Sequence, residues 1–384
     1  QLIGDTDAFV SAPIHSSVSG TVKEISTIRS VTGGDDQVVI IETDGNQDVY
    51  EEIKPPVIND MKDFIAAVRA SGLVGLGGAS FPTHIKLNPK NLEEVDTLIV
   101  NAAECEPFIT SDHRLMLENT EYIIKGAVAI MKHLGLKKGH IGVEENKPDA
   151  IEKLRKVIAD MGHSGDIEVN VLRARYPQGA ERVMIYEITG KTLRAGMLPA
   201  DVGCVVDNVA TVRAIYRAVA KTEPLMERGF TVSGDGVNKP CNLIVKIGTS
   251  FEEMLEAAGG FKTQPKKIIS GGPMMGFAMF GLDVPTTKTT SALLCLTEDA
   301  VEDASQNATA CINCGRCVEA CPSRIVPSRL ADFAENHLEE PFEQWHGMEC
   351  VECGSCSFTC PAKRNLAQSI KSMRKTILAN RRKK

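Results

Sequence analysis

The spacing of apolar positions changes several times along this chain. Over residues 1–55 it is short and alternating, as in Thr21-Val22-Lys23-Glu24-Ile25, among many Val, Ile, Thr and Gly, which predicts short strands and turns. From residue 59 longer periods alternate with short apolar runs. Asp60 to Ala70 has helical spacing and stops at Gly72, and Thr97-Leu98-Ile99-Val100 reads as a buried strand. Ser111 is expected to cap one long helix reaching about His133. A strand at Ile141-Gly142-Val143, a helix over Pro148 to Met161, a strand over Ile167 to Leu172 and helices near 178–189 and 210–221 follow. Strands alternating with helices predict a parallel, doubly wound sheet. Residues 225–285 turn β-rich again, with Phe230 to Gly234, Cys241 to Ile247 and a short helix from Ser250 to Ala258, which reads as a small α+β module. From about 290 the chain is helical and rich in cysteine. The longest apolar stretch, Pro273 to Leu282, is rich in Gly and Met and reads as core, because a membrane span needs about 20 apolar residues.

A length of 384 residues suggests two to four domains, and 43% hydrophobic with 24% charged residues is ordinary globular composition. The net charge of -7 gives no global attraction to nucleic acid or to anionic membranes. No signal peptide is visible, and Gln1 lies inside an expected strand, so the chain is expected to begin part-way through a domain.

Of twelve cysteines, Cys105, Cys204, Cys241 and Cys295 are scattered singly and read as structural thiols. The other eight form two blocks of identical spacing. One runs Cys311-Ile-Asn-Cys314-Gly-Arg-Cys317-Val-Glu-Ala-Cys321-Pro322, the other Cys350-Val-Glu-Cys353-Gly-Ser-Cys356-Ser-Phe-Thr-Cys360-Pro361. Both fit the run C-x2-C-x2-C-x3-C-P of two-cluster ferredoxins, whose fourth cysteine serves the other cluster. Cys311, Cys314, Cys317 and Cys360 are therefore assigned to one [4Fe–4S] cluster, and Cys350, Cys353, Cys356 and Cys321 to the other. Zinc is the alternative, but zinc sites rarely carry a third cysteine at the same pitch followed by Cys-Pro. Between the blocks, Leu330, Phe333, Ala334 and Leu338 are spaced as a helix face that packs the two halves together. After them, Leu366, Ile370, Met373 and Ile377 form an apolar stripe that runs into a basic end, Arg374, Lys375, Arg381, Arg382, Lys383 and Lys384. A core-packed helix with a solvated tail is the simpler reading, and docking on an acidic partner or on lipid headgroups is the other.

A second signal is Gly72-Leu-Val-Gly75-Leu-Gly77-Gly78-Ala79-Ser80-Phe81-Pro82-Thr83, with Lys86 beyond it. Successive glycines let backbone N–H groups converge on an anion, although many such loops are only turns. It lacks the Gly-Lys-Ser/Thr of a nucleotide-triphosphate loop and follows a helix, unlike the usual dinucleotide fingerprint. Immediately after the strand ending at Val100 comes Asn101-Ala-Ala-Glu104-Cys105-Glu106-Pro107. Ligands of open α/β sheets bind beyond the carboxyl ends of strands. Asn101 could bond a flavin edge or a hydroxyl, and Glu104 and Glu106 could accept from hydroxyls or an amide; a solvated loop is the alternative.

Gly75 to Lys86 followed by Asn101 to Pro107 resembles the FMN- and NADH-binding subunit of respiratory complex I. With two ferredoxin-type clusters after it, the whole chain resembles the RnfC family, a component of Rnf complexes, which are membrane-bound ferredoxin:NAD⁺ oxidoreductases. The complex I protein carries a single cluster, so the second cysteine block favours the Rnf family. Ala12-Pro-Ile-His-Ser-Ser-Val-Ser-Gly-Thr-Val22 resembles the second half of a lipoyl-type barrel, with no lysine at its tip. The implied fold is α/β multidomain: a lipoyl-like barrel-sandwich part at 1–55, a Rossmann-like FMN/NAD-binding domain at 56–224, a β-grasp module at 225–288 and a helical double-cluster domain at 289–384.

The resemblance implies FMN on Gly75, Gly77 and Gly78, with Lys86, Asn101 and Glu104 nearby, and NAD stacked on it with Phe81 and Glu106 on its side. Tyr176-Pro-Gln-Gly179-Ala180-Glu181 matches a second flavin/NAD loop, pointing to Tyr176, Gly179 and Glu181. Asp207-Asn208-Val209 matches a third, pointing to Asn208. Ala103 and Ala180 depart from the complex I pattern, where acidic residues are usual. The implied reaction passes electrons between NAD(H), FMN and the two clusters, with no side-chain acid or base. The implied setting is the cytoplasmic side of the cell membrane, peripheral, beside the other Rnf subunits and a ferredoxin-like iron–sulfur partner, with no transmembrane segment and no nucleic acid. Two other readings stay open: a soluble NADH-dependent flavin/iron–sulfur reductase of a corrin cofactor, and a non-catalytic electron-transfer docking subunit.

Overall fold

The computed structural model describes residues 1–31 and 33–383. The N-terminal part pairs β1 (Leu2–Gly4) with β2 (Ile14–His15), and β3 (Gly20–Arg29) with β4 (Asp35–Thr43) in a long hairpin. The register of that hairpin shifts between Val22 and Glu24. An inserted residue ends strict alternation, and Val22 and Ile25 both face outward. Lys288, far along the chain, donates to the carbonyls of Pro13 and Gly72 and ties this part to the next (2.6 Å to Gly72).

Helix α1 (Met61–Ala70) starts at Asp60, whose carboxylate accepts from the Asp63 N–H. After α2 (Thr83–Lys86) comes a four-stranded sheet of β5 (Thr97–Ala102), β6 (Lys138–Glu144), β7 (Ile167–Leu172) and β8 (Cys204–Asn208). Its order is β7-β6-β5-β8 and every pairing is parallel. Between the strands lie α3 (Ser111–Glu118), α4 (Thr120–Leu134), α5 (Pro148–Asp160) and α6 (Glu181–Thr189), and α7 (Val209–Lys221) follows β8. Leu98 and Val100 of β5 pack in the core with Ile123, Ile130 and Val212, whereas Ile99 points the other way into a second core with Met184, Ile185 and Val206. Both faces of the sheet are covered, which is why its central strand reads as an unbroken apolar run.

The expected helix over 111–133 is two helices. Asn119 leaves helical geometry at φ −127°, and its side-chain oxygen accepts from Arg213 Nε at 2.8 Å. The first helix is preceded by Thr110, which supplies no side-chain cap; the Glu104 carboxylate caps it instead.

The next part is a five-stranded sheet: β9 (Glu227–Ser233), β10 (Cys241–Lys246), β11 (Lys267–Ser270), β12 (Phe277–Ala278) and β13 (Ala292–Leu296), in the order β10-β9-β13-β11-β12, with α8 (Phe251–Ala257) against it. Strand β13 lies parallel to β9 and antiparallel to β11, so the sheet runs past the expected change of domain at 289; Leu293, Leu294 and Cys295 are all buried there. The stretch 273–282 is not simply core. Met279 and Leu282 pack on the sheet, but Met275, Phe277 and Phe280 are exposed.

The C-terminal part is helical: α9 (Ala300–Gln306), α10 (Arg316–Glu319), α11 (Pro327–Glu335), α12 (Glu339–Gln344), α13 (Ser355–Phe358) and α14 (Leu366–Lys383). Leu330 and Ala334 of α11 pack with Phe342 and with Ile370, Met373 and Ile377 of α14, so the C-terminal apolar stripe is core; Leu338, expected on the same face, is exposed. Arg374 pairs with Glu352 and Arg381 with Glu343 inside this part. Lys384 lies outside the described residues. No helix among the described residues is long and apolar enough to cross a membrane.

Helices α4 and α7 cross at close range. A Cβ placed on Gly126 would sit 2.1 Å from the Val212 carbonyl oxygen. Gly126→Ala is expected to destabilise the fold by about 1–3 kcal/mol, as overpacking does, and urea unfolding followed by far-UV circular dichroism checks it.

Candidate functional site

Three loops meet beyond the carboxyl ends of β5 and β8. The glycine loop is closed at its neck: the Gly75 N–H donates to Phe81 O (2.9 Å) and the Thr83 N–H to Leu73 O (3.1 Å). Its flank is fixed at Leu76, whose N–H donates to Thr211 Oγ1 (2.9 Å) and whose carbonyl accepts from the buried Arg228 (3.1 Å). At Gly77 a Cβ would lie 2.7–2.8 Å from the Asn208 side chain, so only glycine fits. At Gly78 a Cβ would meet nothing within 4 Å, so this face of the loop opens to free space. Phe81 is exposed at the loop's end.

Lys86 joins the loops electrostatically. Its Nζ lies 3.3 Å from Glu181 Oε1 and 3.8 Å from Asp207 Oδ1. Asn101 donates to Gly179 O at 2.7 Å, and the Gly179 N–H meets Cys105 Sγ at 3.2 Å. Asn208 caps α7 by accepting from the Ala210 N–H and donates to Asp112 Oδ2 at 2.7 Å. Thus Gly75, Gly77, Gly78, Phe81, Lys86, Asn101, Gly179, Glu181 and Asn208 belong to one set of adjoining loops.

The two loop carboxylates are engaged by the protein itself. Glu104, in the left-handed region at φ 52°, accepts from the N–H groups of Asp112 (2.5 Å) and His113 (3.0 Å) and so caps α3. Burial, with Asp112 nearby, raises its pKa. Glu106 accepts from the N–H groups of Met274 (3.1 Å) and Met275 (2.8 Å). The reading of these residues as a solvated loop does not hold, and neither carboxylate points freely toward a ligand. Tyr176 turns away from the glycine loop and donates to Cys353 O at 2.8 Å.

Residues that the sequence pattern does not single out complete the site. Asp112 looks like an ordinary first-turn acid of a helix, yet it holds Asn208. Lys147 is buried and donates to Ala103 O (2.8 Å) and Glu144 (3.0 Å). Glu349 accepts from the Ala195 N–H (2.8 Å) and from Arg182 (2.7 Å), docking the cysteine-rich part on the flavin-type part. Its position directly before Cys350 was the available signal.

Several polar groups on these loops would be satisfied by a flavin phosphate and ribityl chain. Among the described residues the buried Ser80 Oγ, Thr83 Oγ1, Gln178 Nε2 and both carboxylate oxygens of Asp207 have no hydrogen-bond partner, and all lie on these loops. A polar, hydroxyl-bearing ligand beside Gly78 would supply partners, with Lys86 as the cation.

The cysteines differ in depth. Cys311 and Cys314 are exposed, whereas Cys317, Cys353 and Cys356 are buried. Cys321, Cys350, Cys353 and Cys356 line one cavity, although Cys321 comes from the other block. Burial raises the thiol pKa of Cys350 and Cys356, and nearby Cys353 and Cys321 add to it in both. This is the cross-block set expected for one cluster. Cys317 and Cys360 share a small core with Ala331 and Leu366. Both blocks turn through the same left-handed positions: Asn313 and Glu352, Gly315 and Gly354, Arg324 and Lys363. The N–H groups of Asn313 and Glu352 point at Cys311 Sγ (3.5 Å) and Cys350 Sγ (3.3 Å), as donors to cluster-bound sulfur would. Among the described residues no set of three such side chains converges to hold a single metal ion. A cubane asks for four thiolates spread over four irons, and Cys321, Cys350, Cys353 and Cys356 around one cavity suit that need.

Asp207 gives a pH signature. Burial raises its pKa from 3.8 to about 6, against the pull of Lys86. The unfolded chain ionises this group at lower pH than the fold does, so stability is lost as pH rises through about 6. Asp207→Asn is therefore expected to stabilise the protein more at about pH 8 than at about pH 5, read from urea midpoints at the two pH values.

Residues 68–217 match the Nuo51 FMN-binding domain, 230–278 the SLBB domain, 1–46 the RnfC barrel sandwich hybrid domain, and 310–364 the 4Fe-4S dicluster domain. The chain is similar to the C subunit of the proton-translocating ferredoxin:NAD(+) oxidoreductase complex of Clostridium ljungdahlii, at 45% identity over 97% of this chain and 81% of that protein. It is 43% identical to the C subunit of the Na(+)-translocating complex of Acetobacterium woodii, over 100% of this chain and 86% of that one. The C subunit of the ion-translocating oxidoreductase complex of Rhodobacter capsulatus is 38% identical over 86% of this chain, which spans 64% of it. Among solved structures, an NAD+-reducing [NiFe]-hydrogenase shares the fold, with a TM-score of 0.58 at 18% identity, over 83% of this chain and 62% of that one. On its similarity to the Clostridium and Acetobacterium proteins over nearly its whole length, the chain belongs to the family of C subunits of ion-translocating ferredoxin:NAD⁺ oxidoreductase complexes.

Proposed function

We propose that this chain carries electrons between NAD(H) and an iron–sulfur partner within such a complex, through FMN and two [4Fe–4S] clusters. Ion translocation belongs to the complex as a whole. We place the chain at the cytoplasmic side of the membrane, bound to the other subunits and receiving electrons from a ferredoxin-like protein.

The observation that carries this reading is that one cysteine set touches the flavin loops while the other reaches the surface. The set of Cys321, Cys350, Cys353 and Cys356 sits against the flavin loops through Tyr176 and Cys353, while Cys311 and Cys314 reach the surface. A conduit needs one end at the nucleotide and the other at the partner, and this placement of the two sets supports that reading.

The FMN, when bound, supplies the exchange between hydride transfer and single-electron transfer. The protein's part is placement. Gly77 and Gly78 let the backbone approach the phosphate, and Lys86 balances its charge once Glu181, which is partly exposed, gives way. Asn101 and Asn208 hold the loops in register. Phe81, exposed at the mouth, offers its ring to the nicotinamide nucleotide. We assign Gly75, Gly179 and Glu181 to the same flavin surround and leave Glu106 out of it, because both its oxygens are engaged elsewhere. Proposed boundaries follow the sheets: 1–55, 56–224, 225–296 and 297–384.

Two variants test the order of the conduit. In Cys321→Ser, NADH is expected to bleach the flavin while the remaining outer cluster stays oxidised. In Cys360→Ser, NADH is expected still to reduce the inner cluster, but transfer to an external ferredoxin falls by about tenfold or more. Anaerobic absorbance and electron paramagnetic resonance (EPR) read both. The opposite pattern would place the Cys311 set next to the flavin and refute the proposed order.

A further inference from the structure

Glu106 stands at the start of a closed circuit of contacts through three parts of the chain. Its carboxylate accepts from the N–H groups of Met274 and Met275. The turn that presents them is shaped for this purpose. A Cβ on Gly272 would lie 2.3 Å from Glu106 Oε2, and one on Gly276 would lie 2.4 Å from the Gly272 carbonyl oxygen. Met274 in turn lies over the inner cysteine loop: a Cβ added to Gly354 would come into ordinary contact with Met274 O (3.5 Å) and Cε (3.6 Å). Gly354 follows Cys353, whose carbonyl accepts from the Tyr176 hydroxyl at 2.8 Å. Tyr176 leads to Gly179, whose N–H meets Cys105 Sγ at 3.2 Å, and Cys105 adjoins Glu106.

We propose that Glu106 is a positioning residue for electron transfer: through the 272–276 turn and Met274 it fixes the Cys353–Gly354 loop, and with it the inner cluster, against the flavin loops. This rests on the reading that Cys321, Cys350, Cys353 and Cys356 hold a cluster. The physical case is rigidity. A carboxylate with two backbone N–H donors in a partly buried site holds its turn more firmly than a neutral contact does. Electrons that arrive from NADH as a pair must leave one at a time for the inner cluster, and that step weakens steeply with separation. A second tie, Glu349 to Ala195 and Arg182, does not involve Glu106 and keeps the parts docked when the circuit is broken. The effect of losing Glu106 is therefore local.

The test uses the full-length protein with flavin and clusters in place, in Glu106→Ala, Glu106→Gln and Met274→Ala forms. Met274→Ala removes the side chain that lies over Gly354 while leaving the Met274 backbone, the Glu106 carboxylate and its N–H donors. Dithionite-reduced samples, with and without flavin, are compared by EPR and redox titration, and stopped-flow absorbance separates flavin reduction from cluster reduction. Glu106→Ala and Met274→Ala are expected to keep the parent's iron content, shift the EPR signature of one cluster and leave the other unchanged. Cluster reduction after flavin reduction is expected to slow by about tenfold or more, and Glu106→Gln to restore part of it. In Met274→Ala, flavin reduction by NADH is expected to stay within about twofold of the parent. Full iron with unchanged cluster signatures and transfer rates in both alanine variants overturns the proposal. Slower flavin reduction in Glu106→Ala together with a parent-like Met274→Ala also overturns it, assigning Glu106 to the nucleotide alone. A parent protein holding iron for only one cluster fails at the underlying reading instead and takes this proposal with it.

Discussion

Backbone N–H groups that leave regular structure inside a protein need acceptors, and the loop after β5 provides them for three neighbours at once. Within Asn101 to Glu106, Asn101 binds the 176–181 loop, Cys105 takes the Gly179 N–H, Glu104 caps α3, and Glu106 takes the turn of the five-stranded sheet. The parallel sheet fixes where this loop begins, because β5 is its central strand and is buried on both faces. That anchored segment, with Arg228 on the glycine loop and Glu349 on the 182–195 stretch, fixes the relative placement of nucleotide site, five-stranded sheet and inner cysteine set.

Backbone strain gathers in the same places. Ser80, Glu104 and Phe108 on the nucleotide loops adopt positive φ, as do Asn313, Arg324, Glu352 and Lys363 around the cysteines. Each costs about 1–3 kcal/mol unless its surroundings hold it, and such positions cluster at sites where geometry matters more than local comfort. In the cysteine blocks they fall at matching places in the two repeats, so the duplicated sequence carries a duplicated backbone.

Much of this was legible from sequence, for identifiable reasons. Period and run length exposed the strand over Thr97 to Val100 and the helices over 61–70 and 209–221, because burial on one or both faces leaves a regular pattern. The cysteine spacing anticipated that Cys321 of the first block lines one cavity with Cys350, Cys353 and Cys356 of the second, because such spacing constrains the chain locally. The helix break at Asn119 was hidden, since its cause is Arg213, distant in sequence. The exposure of Met275 and Phe277 was hidden too, because Gly272 and Gly276 form a turn around a carboxylate from another part of the chain. Glu104 and Glu106 read as ligand acceptors because their backbone partners lie at 112–113 and 274–275. Of the three functional readings the sequence left open, family membership selects the Rnf-type protein over the corrin reductase.

The central claim is that nucleotide, flavin and clusters form one continuous path in this chain. An anaerobic NADH titration of the purified protein, following flavin and cluster absorbance together, tests it most directly. The account predicts that the flavin band bleaches first and that cluster absorbance then falls. Flavin that is present but unchanged by NADH, or flavin that bleaches while both clusters remain oxidised, would contradict it.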